Sequence, residues 1–146
     1  MWTLDPKNSR DLFEVLRRHA RQPDGFDTIR VGLGWRPLVA ECHRQLVEVF
    51  PDYELLAVKQ KDGLLAYQAF PWPEAENRPK WSVEDLAALD EITDAFAYRS
   101  ESICEWCGAG GELRTWRAWE LTLCDGCDQR FPDPPYKLHG KLPKGS

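Results

Sequence analysis

The chain has 146 residues, 42% of them hydrophobic and 29% charged. That is the composition of one ordinary globular domain, or of a small domain with an appendage, and it excludes a disordered chain. No apolar run nears the roughly 20 residues of a membrane helix, and no basic-then-apolar signal pattern opens the chain, so a cytoplasmic location is expected. Nineteen basic against 24 acidic residues give a formal net charge of −5, which makes nucleic acid an unlikely general partner.

Residues 5–21 read as a helix. Asp5 caps it and Pro6 suits the first helical position, or the start slips to Asn8 or Ser9. Leu12, Phe13, Val15, Leu16 and Ala20 give its apolar face, with Arg17, Arg18 and Arg21 at the negative end of its dipole. Pro23-Asp24-Gly25 is a turn. Ile29, Val31 and Leu33 alternate through 28–33, the period of a strand. Gly34-Trp35-Arg36-Pro37 opens a second helix, and Leu38, Cys42, Leu46 and Phe50 recur along it every four residues until Pro51.

Residues 53–61 and 64–70 flank Asp62-Gly63. That dipeptide between apolar runs is the strongest short hairpin signal, because both positions tolerate positive φ. Residues 71–80 form an irregular, proline-rich connection. Ser82 and Asp85 resemble a capping box for a third helix running to about Glu101, with Leu86, Leu89, Ile92 and Phe96 on one side. The tail from Pro132 carries four prolines and three lysines and reads as extended or mobile.

The five cysteines are an odd number, which argues against a complete disulfide framework. Cys104, Cys107, Cys124 and Cys127 form two C-x-x-C pairs with residues 108–123 between them, inside the spacing window of zinc sites. Each tight turn aims two sulfurs at one ion, and two turns complete a tetrahedron. Gly108 supports a knuckle that needs unusual dihedrals. Residues 112–117 and 119–123 then pair as the hairpin of a zinc ribbon. Disulfides are disfavoured in the cytosol. A redox C-x-x-C stands alone at a helix start, and this spacing is less typical of an iron–sulfur cluster. Catalytic zinc keeps an open position that four sulfurs would close, so the expected Zn2+ is structural and no enzymatic activity is expected.

Other candidates are weaker. Cys42 lies on the apolar face of the second helix as an inert thiol. His43 points about 100° away from it, so the two make no dyad. His19, His43 and His139 are scattered along the chain. Gly32-Leu33-Gly34 lacks the third glycine of a dinucleotide loop, and no spacing selects a catalytic carboxylate pair. On the third helix Glu84, Asp90, Glu91 and Asp94 share the arc opposite the apolar side, and no basic residue occurs over 82–98. The bland reading is a solvated face. The sharper one is a docking surface for a basic protein, with Trp72 and Trp81 beside it as anchors. Trp116 and Trp119 with Arg114 and Arg117 make a basic-aromatic hairpin of the kind that stacks bases.

From Gly34 to Cys127 the sequence resembles a family of small zinc-ribbon proteins of bacteria and their phages. The matching residues are Gly34-Trp35, Val58-Lys59-Gln60-Lys61-Asp62-Gly63-Leu64, the run 102–111 around Cys104-Glu105-Trp106-Cys107-Gly108, and Leu123-Cys124-Asp125-Gly126-Cys127. The chain departs from the family at Asp62, where an aromatic is usual, and at Cys127, where some members carry histidine. The resemblance implies an α+β body closed by a zinc ribbon and no established activity. Small acidic proteins of this build include immunity proteins that neutralise antibacterial toxins.

The expected fold is therefore α+β. Helices cover a small antiparallel sheet in a body of residues 1–101, followed by a four-cysteine zinc ribbon at 102–131 and a tail at 132–146. The expected function is non-enzymatic binding of a basic protein partner, most concretely a toxin domain. The alternatives are a nucleic-acid accessory protein acting through the ribbon and an enzyme without a recognisable motif.

Overall fold

The computed structural model describes residues 6–23 and 29–130. The Asp5 cap, most of the 23–25 turn, His139 and the tail from Pro132 lie outside the described residues. The body is built on the hairpin of β2 (Glu54–Lys61) and β3 (Leu64–Phe70). Asp62 and Gly63 turn it with φ of 52° and 83°, the left-handed pair that matches strand twist. The register slips between Leu55 and Ala57. Strict alternation would send Leu55 and Val58 to opposite faces, and this bulge lets both bury in the core, leaving Leu56 exposed.

The sheet is mixed rather than wholly antiparallel. β1 (Ile29–Arg30) pairs parallel to β2, Ile29 against Val58, in the order β1-β2-β3. α1 (Pro6–Arg17) buries Leu12 and Leu16. It stops short of Arg21 because the next residues pair with β2. The Leu55 amide donates to the His19 carbonyl at 2.7 Å, and the Arg21 amide donates to the Leu55 carbonyl at 2.9 Å. Ala20 and β1 thus share one edge of β2. The 28–33 strand shortens to β1 because Leu33–Trp35 wind into a single 3-10 turn.

That turn leads into α2 (Arg36–Val49), with Pro37 in its first turn and Leu38, Val39, Cys42 and Leu46 buried. α3 (Val83–Ser100) begins at Ser82 with both halves of the capping box formed at 3.0 Å. Its buried face is Leu89, Thr93, Phe96 and Ser100. Leu86, placed on that stripe from the sequence, is 37% exposed. The helix is rotated so that the Ser100 hydroxyl reaches β3 and accepts the Leu65 amide at 2.9 Å. β4 (Glu112–Arg114) and β5 (Leu121–Leu123) then pair antiparallel, and α4 (Asp125–Arg130) follows directly. The α+β class and the C-terminal ribbon are both present. Among the described residues no helix is long and apolar enough to cross a membrane.

Candidate metal centre

Cys104 and Cys107 flank a turn in which the Gly108 amide donates to the Cys104 carbonyl at 2.9 Å and the Cys104 amide donates to the Ala109 carbonyl at 2.7 Å. Gly108 has φ +83°, as a knuckle requires. Cys124 follows β5, and Cys127 lies in α4, where its amide donates to the Cys124 sulfur at 3.4 Å. That contact, with its partner thiol, pulls the Cys124 thiol down to about 7. The four Sγ atoms lie within 4.8 Å of one another, with Cys107 and Cys124 at 3.7 Å. Metal–sulfur bonds of about 2.3 Å in a tetrahedron place sulfurs about 3.8 Å apart. The cluster therefore fits one metal ion. A multi-iron cluster would hold its cysteines farther apart, because irons and sulfides fill the space between them.

The ribbon is joined tightly to the body. The Gly34 amide donates to the Glu105 carbonyl at 2.8 Å, and the Gly32 amide to Glu105 Oε2 at 3.0 Å. A Cβ on Gly34 would lie 2.2 Å from the Cys104 carbonyl oxygen, and one on Gly32 would lie 2.4 Å from that of Glu105. Only glycine admits so close an approach. Trp35 Nε1 donates to the Ile103 carbonyl at 2.8 Å, and the Thr122 hydroxyl to the Gly63 carbonyl at 2.8 Å. Glu105 is fully buried, and burial pushes its carboxyl up to about 7 against the pull of the Gly32 amide. Sequence reasoning saw Glu105 only as a residue between two ligands. Gly32 and Gly34 facing the C-x-x-C turn are its partners, and no local pattern announces that.

The hairpin's two arginines are committed inside the ribbon. Arg117 is fully buried, with its guanidinium 2.8 Å from Asp128. Arg114 is bonded to the Leu123 carbonyl at 2.9 Å and to Asp125 at 2.8 Å. The basic-aromatic hairpin thus spends its two cations on bracing α4. Trp116 is 59% exposed, and the Arg117 guanidinium lies 5.3 Å from its ring centre.

Glu84, Asp90, Glu91 and Asp94 are all exposed on α3. Arg99, in its last turn, pairs with Glu41 at 3.3 Å. Trp72 and Trp81 are half-buried and engaged in their own loop. Trp72 Nε1 donates to the Pro79 carbonyl, Trp81 Nε1 to the Trp72 carbonyl, each at 2.9 Å, and Trp81 stacks on Phe70 at 4.9 Å. They line an open hollow of about 640 Å³ with Glu74, Glu76, Arg78 and Lys80.

A second polar group of residues lies in the body. His43 Nδ1 is 2.6 Å from Tyr53 Oη, which is 2.7 Å from Tyr67 Oη. His19 stacks on Tyr53 at 4.4 Å and bonds the Tyr53 carbonyl through Nδ1 at 2.9 Å, so that nitrogen carries the proton. His19 and His43, scattered in the sequence, have their rings 5.1 Å apart. One signal was available: Val39, His43 and Leu46 follow the i, i+4, i+7 spacing of a buried face. Burial lowers the His43 imidazole to about 4, with His19 adding to the effect, and pushes the adjacent Cys42 thiol up to about 12. Cys42 is a buried, unreactive thiol.

Comparison with protein-family models, with curated proteins and with solved structures finds no match for the chain. The fold and the site define a class: an α+β protein whose C-terminal ribbon carries a four-cysteine cluster fitted to one metal ion.

Proposed function

We propose that the chain is a non-catalytic protein-binding protein whose C-terminal third is organised by one structural zinc ion. Its most concrete form is a cytosolic immunity protein that neutralises an antibacterial toxin by binding it. The four-sulfur cluster carries the reading. Four thiolates give zinc a complete tetrahedral shell and leave no position for water or substrate. Soft sulfur donors favour zinc over the hard cations that prefer oxygen. Protein binding is supported by the exposed face of α3, where Glu84, Asp90, Glu91 and Asp94 repel one another. A basic partner offsets that repulsion and is steered towards it.

Metal analysis in reducing buffer should find one zinc per chain. Metal-free protein with two disulfides would refute the zinc site. The neighbouring gene's product is the first partner to test. Against it, Asp90→Lys combined with Asp94→Lys should slow association roughly tenfold at low salt. The loss should shrink as the Debye length falls from about 10 Å at 0.1 M to about 3 Å at 1 M salt. Unaltered association would return the acidic face to a solvated surface.

A further inference from the structure

The four sulfurs are not equivalent. Cys104 is 0% exposed and Cys127 3%, whereas Cys107 is exposed and Cys124 half-exposed. The two that solvent reaches belong to different knuckles and lie 3.7 Å apart. A reagent diffusing in from water therefore meets one sulfur of each turn, side by side, with their partners shielded behind. We infer that Cys107 and Cys124 are an oxidation site: a small hydroperoxide joins them in a disulfide and releases the zinc. The inference rests on the zinc reading above and names a regulation of that same site.

The chemistry balances with the peroxide as sole oxidant. The Cys107 thiolate attacks one peroxide oxygen, the O–O bond breaks, hydroxide leaves, and the sulfur becomes a sulfenic acid. The Cys124 thiolate then attacks that sulfur and displaces a second hydroxide as the S–S bond forms. Two thiolates have lost two electrons, and one molecule of hydrogen peroxide has become two hydroxides. A disulfide is about 2.05 Å long, so the sulfurs need to close by only about 1.7 Å. The ion keeps two of its four thiolates and leaves as Zn2+.

The event reaches the body through Glu105. This buried residue sits inside the first knuckle and receives both the Gly32 amide, at its carboxylate, and the Gly34 amide, at its carbonyl. The second knuckle has no such bond to the 32–35 turn among the described residues. Drawing Cys107 towards Cys124 displaces the turn that carries these acceptors. Oxidation thereby loosens Gly32 and Gly34 as well as the ribbon.

The test uses the full chain, reduced and zinc-loaded, with its zinc content measured first. Hydrogen peroxide is then titrated in with a chromogenic zinc chelator present. Trypsin cuts after Arg99, Arg114, Arg117 and Arg130, so a cross-knuckle disulfide joins peptides 100–114 and 118–130, whereas a within-knuckle one leaves them apart. The expected result is one zinc released per peroxide consumed and a joined peptide whose fragments place the bond at Cys107–Cys124. Hydrogen exchange should speed at the Gly32 and Gly34 amides, and dithiothreitol with zinc should reverse every change. A Cys104–Cys107 disulfide as first product, a sulfonic acid at Cys107 without a disulfide, or zinc retained by oxidised protein would overturn the inference alone. Zinc absent from the untreated protein would overturn both it and the zinc reading.

Discussion

Among the described residues the body's core gathers 17 buried side chains from α1, β1, α2, β2, β3, α3 and their connections, whereas the ribbon's gathers four, Cys104, Leu121, Leu123 and Cys127. Two of those four belong to the metal cluster. A buried leucine contributes about 1.5–3 kcal/mol, while fixing each residue's backbone costs about 1–2 kcal/mol. Two leucines cannot order a ribbon of some two dozen residues. Metal binding in zinc-finger peptides supplies about 10–16 kcal/mol, more than the two leucines together. The body is held by apolar area, the ribbon has a four-cysteine cluster fitted to a metal ion where a larger core would be, and the two meet at a glycine-lined contact.

The sharpest way to test this contrast is to remove the metal. Chelation, or Cys104→Ser, should forfeit of order 10 kcal/mol of binding free energy. By hydrogen exchange, amides of residues 104–127 and of the 32–35 turn should lose protection, while α2 and the β2–β3 hairpin keep theirs. A ribbon still protected without metal would end the comparison.

A middle-sized effect belongs to the body alone. His43 titrates near 4 in the folded chain and near 6.5 when unfolded. The unfolded state therefore binds more protons between those values. The contribution of His43 is full above about pH 6.5, falls as pH drops towards 4, and levels off below it, by roughly 3 kcal/mol in all. Denaturant unfolding of the native protein and of His43→Leu at pH 7.5, 6 and 5 should show the native protein losing more. Metal release in acid, and the opposite titration of the raised Glu105 carboxyl, are common to both proteins and cancel in the difference. Equal slopes would mean that His43 accepts its proton without cost.

The smallest effect lies at the contact between the two units. Gly34→Ala places a methyl 2.2 Å from the Cys104 carbonyl oxygen and 2.5 Å from the Gly108 nitrogen, and backbone cannot rotate aside. A cost of about 1–3 kcal/mol is expected, together with weaker zinc binding because the first knuckle is displaced. Gly126→Ala is the control, since nothing lies within 4 Å of its added methyl. If both variants bind zinc equally well, the body does not support the knuckle.

How much of this the sequence disclosed depends on how local each cause is. Asp62-Gly63, the Ser82–Asp85 box and the paired C-x-x-C turns are set by residues a few positions apart, and all three stand as read. The end of α1, the parallel β1 and the exposure of Leu86 were misread, because each is decided by a distant partner: Leu55, Val58 and β3 in turn. Arg117 read as a surface cation because its counter-charge, Asp128, arrives only when α4 folds back. His43 was discounted through its neighbour Cys42, although the residue that matters to it, Tyr53, comes from the hairpin. The four clustered cysteines were legible in full. The carboxylate that ties them to the body was not.

The bond between Gly32 and Glu105 spans 73 positions of sequence, and that separation has a consequence during biosynthesis. At a translation rate of about 5–20 residues per second, Gly32 is synthesised roughly 4–15 s before its acceptor exists. The β2–β3 hairpin closes in about 1–10 μs, so the first half of the protein has ample time to collapse while still tethered to the ribosome. Throughout that interval the 32–35 surface, with the indole N–H of Trp35, has no Ile103 carbonyl to meet. The nascent chain thus carries an open docking face that its own C-terminal third must later cover. A chain truncated before Ile103 would leave that face without its Glu105 and Ile103 acceptors.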